Sequence, residues 1–356
     1  MKTRNLCFGL VLAVLSIHAV VADTLALRPD APERYVVVKG DTLWDISARF
    51  LRDPWLWPEI WQANPGIANP HLIYPGDLIL LSYDSDGRPI LKIQRGGDSL
   101  SASGLQNNKL SPTVRSSPLD SAIPAIPLDA IQQFLTKARI VTQEEYDRAP
   151  YIVAFSDDRL IAATTDQAYV RGIKSEDKFK RYSIIRLGKP YRNPGAKPDE
   201  ILGYETIEVA GADLEQPGDP ASLVIIRAER EVLAGDRLFP IIDSELQQNY
   251  TPHAPDKPIE GTIIAVLDGV SRIGQFHVVV LNQGKKAGVE PGHVLAVYQS
   301  GRKVRDNFAA KPGELVTLPD EEAGIVLVFR TFDDVSYALV MRALRDMRLH
   351  DKVQNP

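Results

Sequence analysis

The chain has 356 residues, room for two or three domains that each bury a core. Hydrophobic residues make up 44% and charged residues 24%, which excludes a largely disordered chain. The net charge is −5 and no Lys/Arg run is interleaved with aromatics, so nucleic acid is not an expected partner.

Lys2 and Arg4 precede an apolar run from Leu6 to Ile17, and Val20-Val21-Ala22 follows. This order reads as a secretory signal peptide over residues 1–22. A permanent membrane anchor is the alternative, but so short an apolar core spans a bilayer poorly. The only cysteine, Cys7, stands at the start of the apolar run, not at its end where a lipoprotein cysteine would sit. Its removal is expected to leave a mature chain without disulfides, a thiol nucleophile or a thiolate metal site.

All four tryptophans fall between Val36 and Leu81. Tyr35 to Val38 suits a short strand, and Gly40-Asp41-Thr42 a turn in which Asp41 caps a helix from about Thr42. Leu43, Ile46 and Phe50 recur at helical spacing, and Asp53-Pro54 ends that helix. A second helix is predicted from Pro58 to about Asn64, carrying Ile60 and Trp61 on its apolar stripe. The three prolines and two glycines of "NPGIANPHLIYPGD" forbid further helix, and Leu78 to Leu81 supplies a second strand. Trp44, Trp55, Trp57 and Trp61 lie outside the two turn loops, so most of them are expected to fill a small core that has no disulfides.

This strand-helix-helix-strand order closely resembles the LysM module. The resemblance rests on "V-x-x-GDTLW-x-I", "W-x-x-I-x-x-AN" with one extra interior residue, and "N-x-x-LIYPGD", and it covers residues 33–83. It implies binding of N-acetylglucosamine-containing glycan such as peptidoglycan in a shallow groove between two loops. Carried over, Gly40, Asp41, Thr42 and Leu43 line one side, and Asn69, Pro70, Leu72 and Ile73 the other. Acetamido groups need backbone and short-side-chain hydrogen bonds beside an apolar patch, which these loops contain. His71, alone in the second loop, reads as a bystander.

Residues 84–127 turn to Ser, Gly, Asn and Pro, the composition of a flexible tether, although "PILKI" at 89–93 can add a strand to a neighbour. A short helix is predicted from Leu128 to Lys137, with Ile131, Phe134 and Leu135 on one face. Beyond Tyr151 the signals are β, and two β-rich units are expected, 128–245 with the helix and 259–356. Residues 223–238 align with 338–353 at an offset of 115, superposing Arg227 on Arg342 and Asp236 on Asp351. "YSIIRLGK" aligns with "LAVYQSGR" at an offset of 113, so a tandem duplication is expected. The fold class is α+β overall, mostly β after the tether.

The wider arrangement, with "KLSP-x-VR", "AIP-x-IPLDAI-x-x-FL" and "E-V-x-x-GDRL-x-P", resembles the LysM proteins associated with the secretin of the type IV pilus. Their C-terminal region is likened to a domain of the flagellar FlgT protein. The resemblance implies a periplasmic protein of a Gram-negative envelope that holds the secretin to the wall; one shallow groove should bind weakly, and multiple copies around a ring-shaped partner would gain from avidity.

An enzyme is the competing class. His253, His277, His293 and His350 show no zinc-ligand spacing, and there is no G-x-S-x-G elbow or P-loop. "GDRL" reads as a turn at a strand end, and "LNQGKKAGVEPGHVL", with Lys285 and Lys286, as strand-turn-strand rather than an anion loop. A non-catalytic protein without cofactor or metal is therefore expected. The alternatives are a LysM-targeted peptidoglycan hydrolase of glycosidase type, or an anchor for another envelope ring such as the flagellar one.

Overall fold

A computed structural model describes residues 25–62, 72–95, 122–136, 139–173, 180–241, 250–267, 272–308 and 313–356. The expected signal peptide and most of the tether lie outside these residues. No helix among the described residues is long and apolar enough to cross a membrane.

The tryptophan-rich module contains β1 (Arg34–Val36), α1 (Leu43–Phe50), a 3₁₀ turn at Pro54–Leu56, α2 (Trp57–Gln62) and β2 (Leu78–Tyr83). A further strand, β3 (Pro89–Gln94), completes an antiparallel β1-β2-β3 sheet. The tether expected over 84–127 therefore begins later, because Ile90 and Leu91 are buried and Leu81 pairs with Leu91. The tryptophans are core: Trp57 and Trp61 are 1% exposed, Trp44 3% and Trp55 6%.

Next come α3 (Leu128–Thr136), β4 (Ile140–Val141) and α4 (Gln143–Arg148). The last helix was not anticipated, yet "TQEE" encodes it. Thr142 Oγ1 accepts from the Glu145 amide at 3.1 Å while the Glu145 carboxylate accepts from the Thr142 amide at 2.9 Å.

The first β unit holds β5 (Tyr151–Phe155), β6 (Ile161–Ala162), β7 (Gln167–Arg171), β8 (Arg181–Tyr191), β9 (Gly203–Gln216), β10 (Ala221–Ala228), β11 (Val232–Leu233) and β12 (Arg237–Pro240). Its strands run β10-β7-β5-β12-β8-β9, and β10 also pairs with β9, which returns the six to their start. β4 adds to the outside of β9, and β6 pairs with β11.

The second unit holds β13 (Glu260–Val266), β14 (Val278–Leu281), β15 (Val294–Gln299), β16 (Lys303–Asp306), β17 (Glu314–Thr317), β18 (Glu321–Thr331), β19 (Ser336–Ala343) and β20 (Lys352–Gln354). Six of these close a barrel in the order β13-β14-β19-β18-β15-β20, and β16 and β17 form a separate hairpin. Taken in chain order, the six ring strands of each unit are connected identically, so the expected duplication has a structural counterpart. β10 and β19 carry the 115-residue offset: Arg227 lies opposite Gly211 of β9, and Arg342 opposite Ile325 of β18, one position along from Gly324.

Alternation places each barrel residue. Val279 and Leu281 of β14 and Ala338 and Val340 of β19 fill the barrel, whereas Val278, Val280, Tyr337, Leu339 and Met341 point outward. The outward set is buried as well, in one apolar cluster that continues through Phe134, Ile131, Ile126 and Ile123 to the tryptophan module. Strands buried on both faces read as unbroken apolar runs, which is why "VVVL" and "YALVM" show no polar alternation. At this junction Arg330 donates to the Phe134 and Leu135 carbonyls at the end of α3, at 2.9 and 3.2 Å. Arg342 donates to the Arg52 carbonyl at 3.1 Å, a direct link between the last barrel and the first module.

Candidate functional site

Two turns frame the expected groove. Gly40 at φ +99° lets the chain reverse after β1, a backbone that costs a β-carbon-bearing residue strain. Asp41, expected to cap α1, instead closes the turn: its Oδ2 accepts from the Val38 amide at 2.9 Å and the Tyr35 hydroxyl at 2.8 Å. The cap is Thr42, whose Oγ1 accepts from the Asp45 amide at 3.1 Å and donates to Asp45 Oδ2 at 2.7 Å. A one-residue displacement decides this, because the N-cap must be the last extended residue and Thr42 has that backbone, φ −115° and ψ 162°.

The opposite turn is built alike. Gly76 lies at φ +95°, and Asp77 Oδ2 accepts from the Tyr74 amide at 3.0 Å. The Val37 amide donates to the Asp77 carbonyl at 2.9 Å, and the Gly76 amide to the Val37 carbonyl at 2.8 Å. These bonds tie the two turns to one strand end and fix their separation.

Of the eight expected site residues, Gly40, Asp41, Thr42, Leu43, Leu72 and Ile73 are described, while Asn69 and Pro70, like His71, lie outside the described residues. Leu72 is 46% exposed. Leu43 and Ile73 are fully buried and Thr42 nearly so, and Asp41 has its carboxylate committed to the turn. The first turn of α1 leaves amides without an intrahelical acceptor, and those of Leu43 and Trp44 face the groove. They are not vacant: Leu43 donates to the Pro124 carbonyl at 3.0 Å and Trp44 to the Ala125 carbonyl at 3.1 Å. From the other side, the Ile123 amide donates to the Ile73 carbonyl at 2.9 Å. Ile123, Ala125 and Ile126 are buried. The segment assigned to the tether's far end thus bridges both loops of the groove. Its sequence signal is Ala-Ile-Pro-Ala-Ile-Pro, whose prolines lack amides and keep these residues out of a helix, so that the Pro124 and Ala125 carbonyls take partners outside the segment.

The other candidates resolve as structure. Lys286 pairs with Asp334 at 2.7 Å, Lys285–Ala287 is a 3₁₀ turn, and Gly288 at φ +81° leads toward β15. "GDRL" is a turn, with Gly235 at φ +93°. His253 and His293, forty residues apart in the chain, meet edge to face with centroids 4.8 Å apart. Among the described residues no group of three or more His, Cys, Asp or Glu could hold a metal.

Residues 35–82 match the LysM domain family. Among curated proteins, the "Uncharacterized protein YqbP" of Bacillus subtilis (strain 168) is 41% identical over 56 residues, 13% of this chain and 26% of the relative. The chain therefore spans about a quarter of that relative's length. The turn chemistry, the helix pair, the tryptophan core and this match together make residues 35–82 a LysM domain, a peptidoglycan-binding module.

Proposed function

We propose that the protein is a non-catalytic periplasmic anchor, gripping peptidoglycan with its LysM domain and a protein partner with its two barrels. The observation that carries the wall grip is the pair of turns holding the Leu43 and Trp44 amides opposite the Ile73 carbonyl. An acetamido group is a secondary amide, and donors facing an acceptor across a short gap are its natural complement. The partner we propose is the secretin of the type IV pilus, on the resemblance of the whole chain to secretin-associated LysM proteins. A shallow groove binds one chain modestly, and many copies on a ring would multiply that grip through effective concentration.

The test uses the full mature chain. It should co-sediment with purified sacculi, release no soluble muropeptides on prolonged incubation, and retain an outer-membrane ring protein from envelope extracts. Release of fragments would favour the hydrolase reading. Retention of a flagellar ring protein, with no secretin, would transfer the anchor to that assembly.

A further inference from the structure

We infer that Ile123–Ile126 is an internal plug of the LysM groove, so that the groove is closed in this conformation and glycan must displace the protein's own chain to bind. The inference rests on the wall-binding reading and goes beyond it.

Three observations carry the assignment. The plug bonds to both walls of the groove: Pro124 and Ala125 accept from Leu43 and Trp44, and Ile123 donates to Ile73. These are the donors and the acceptor that an N-acetyl group would use, so plug and sugar compete for the same atoms. The plug's side chains also fill the apolar space, Ile123 being 5% exposed and Ala125 and Ile126 0%. A sugar methyl has no room while they remain. Finally, the plug continues into α3, whose Phe134 and Leu135 carbonyls are held by Arg330 of the second barrel. Plug, α3 and barrel wall belong to one apolar cluster, so a partner that repacks the barrel's outer face would loosen the plug. Engagement of the barrels then tightens wall binding, and the free protein grips glycan through the fraction of molecules whose groove is open.

The probe is a soluble N-acetylglucosamine tetramer titrated into the full mature chain. Two variants open the groove: Ile123→Asp, and replacement of residues 122–127 by Gly-Ser-Gly-Ser-Gly-Ser. A population-limited site binds more weakly by the fraction of time it is open. Each variant should therefore bind the tetramer about tenfold or more tightly than the unaltered chain. Amide exchange at Leu43 and Trp44 should be slow in the unaltered chain, fast in the variants, and slow again with tetramer. A further readout needs no substitution: saturating tetramer must accelerate exchange of the Ile123 amide in the unaltered chain. Equal affinity in all three proteins, or an Ile123 amide that stays protected with tetramer bound, overturns the plug and leaves wall binding standing. Failure of every folded variant to bind tetramer or sacculi overturns both.

Discussion

Asp236 and Asp351 occupy the same turn in two successive barrels, 115 residues apart, and the first is clasped by the Arg186 guanidinium whereas the second has only the Arg348 charge acting on it. Asp236 Oδ2 accepts from the Leu233 amide at 2.9 Å and Asp351 Oδ2 from the Arg348 amide at 2.7 Å. Arg186 then grips both Asp236 oxygens at 2.8 Å. At the equivalent of Arg186 the second unit has Gln299, whose side-chain amide donates to the Asp346 carbonyl instead. Burial accordingly pushes the Asp351 carboxyl above its ordinary pKa, against the pull of the Arg348 amide and charge.

The two positions should respond oppositely to the same change. A raised carboxyl pKa means stability that is complete below the unfolded pKa and lost as pH rises through the folded one. Asp351→Asn should therefore raise the stability of the second barrel at pH 7, with a gain that disappears near pH 3. Asp236→Asn leaves Arg186 half-paired and should cost about 2 kcal/mol at pH 7. Urea unfolding of each variant at both pH values measures this.

His293 predicts an acid-sensitive second barrel. Its imidazole is held below its ordinary pKa, first by burial and then by His253, with Glu290 and Asp256 pulling the other way. Its Nδ1 accepts from the Glu290 amide at 3.1 Å. A depressed pKa gives stability that is present above the unfolded value, about 6.5, and is lost as pH falls through the folded one. His293→Asn keeps a side-chain acceptor but does not titrate. Between pH 7.5 and 5 the thermal midpoint of the unaltered barrel should fall further than that of the variant.

Trp61→Ala should destabilise the LysM domain by about 3–5 kcal/mol, the cost of emptying a fully buried aromatic site. Because every tryptophan lies in this module, its unfolding can be followed by fluorescence without interference from the barrels. Unchanged stability with lost sugar binding would make Trp61 a stacking platform after all.

The two expected groove residues on adjacent positions should separate cleanly. Leu72 is half-exposed, and Leu72→Lys should change stability by about 0.5 kcal/mol or less while weakening sacculus binding. Ile73 is fully buried, and Ile73→Lys should unfold the module, costing roughly 3 kcal/mol or more for an unpaired buried charge. Thr42→Ala removes the α1 cap and should cost about 1 kcal/mol. Co-sedimentation and fluorescence-detected unfolding, run on the same samples, distinguish the two kinds of loss.

What the sequence by itself determined is local. The Gly40 and Gly76 turns, the helix pair between them and the tryptophan core follow from contacts within a fifty-residue stretch, where spacing and turn chemistry act directly. The duplication was legible because segments of one pattern recur at offsets of 113 and 115 residues. Tertiary structure alone decided that the Leu43 and Trp44 donors in the groove are occupied. The plug at 123–126 meets Leu43 and Ile73 across most of a domain's length of chain, and no periodicity encodes a contact at that separation. The same holds for barrel closure and for the His253–His293 pair, brought together because β15 lies beside the incoming chain. Asp41 shows the boundary between the two. Its residue type announced a turn-forming carboxylate, but whether that carboxylate capped α1 or stapled Val38 to Tyr35 depended on one residue of backbone register that only the folded chain fixes.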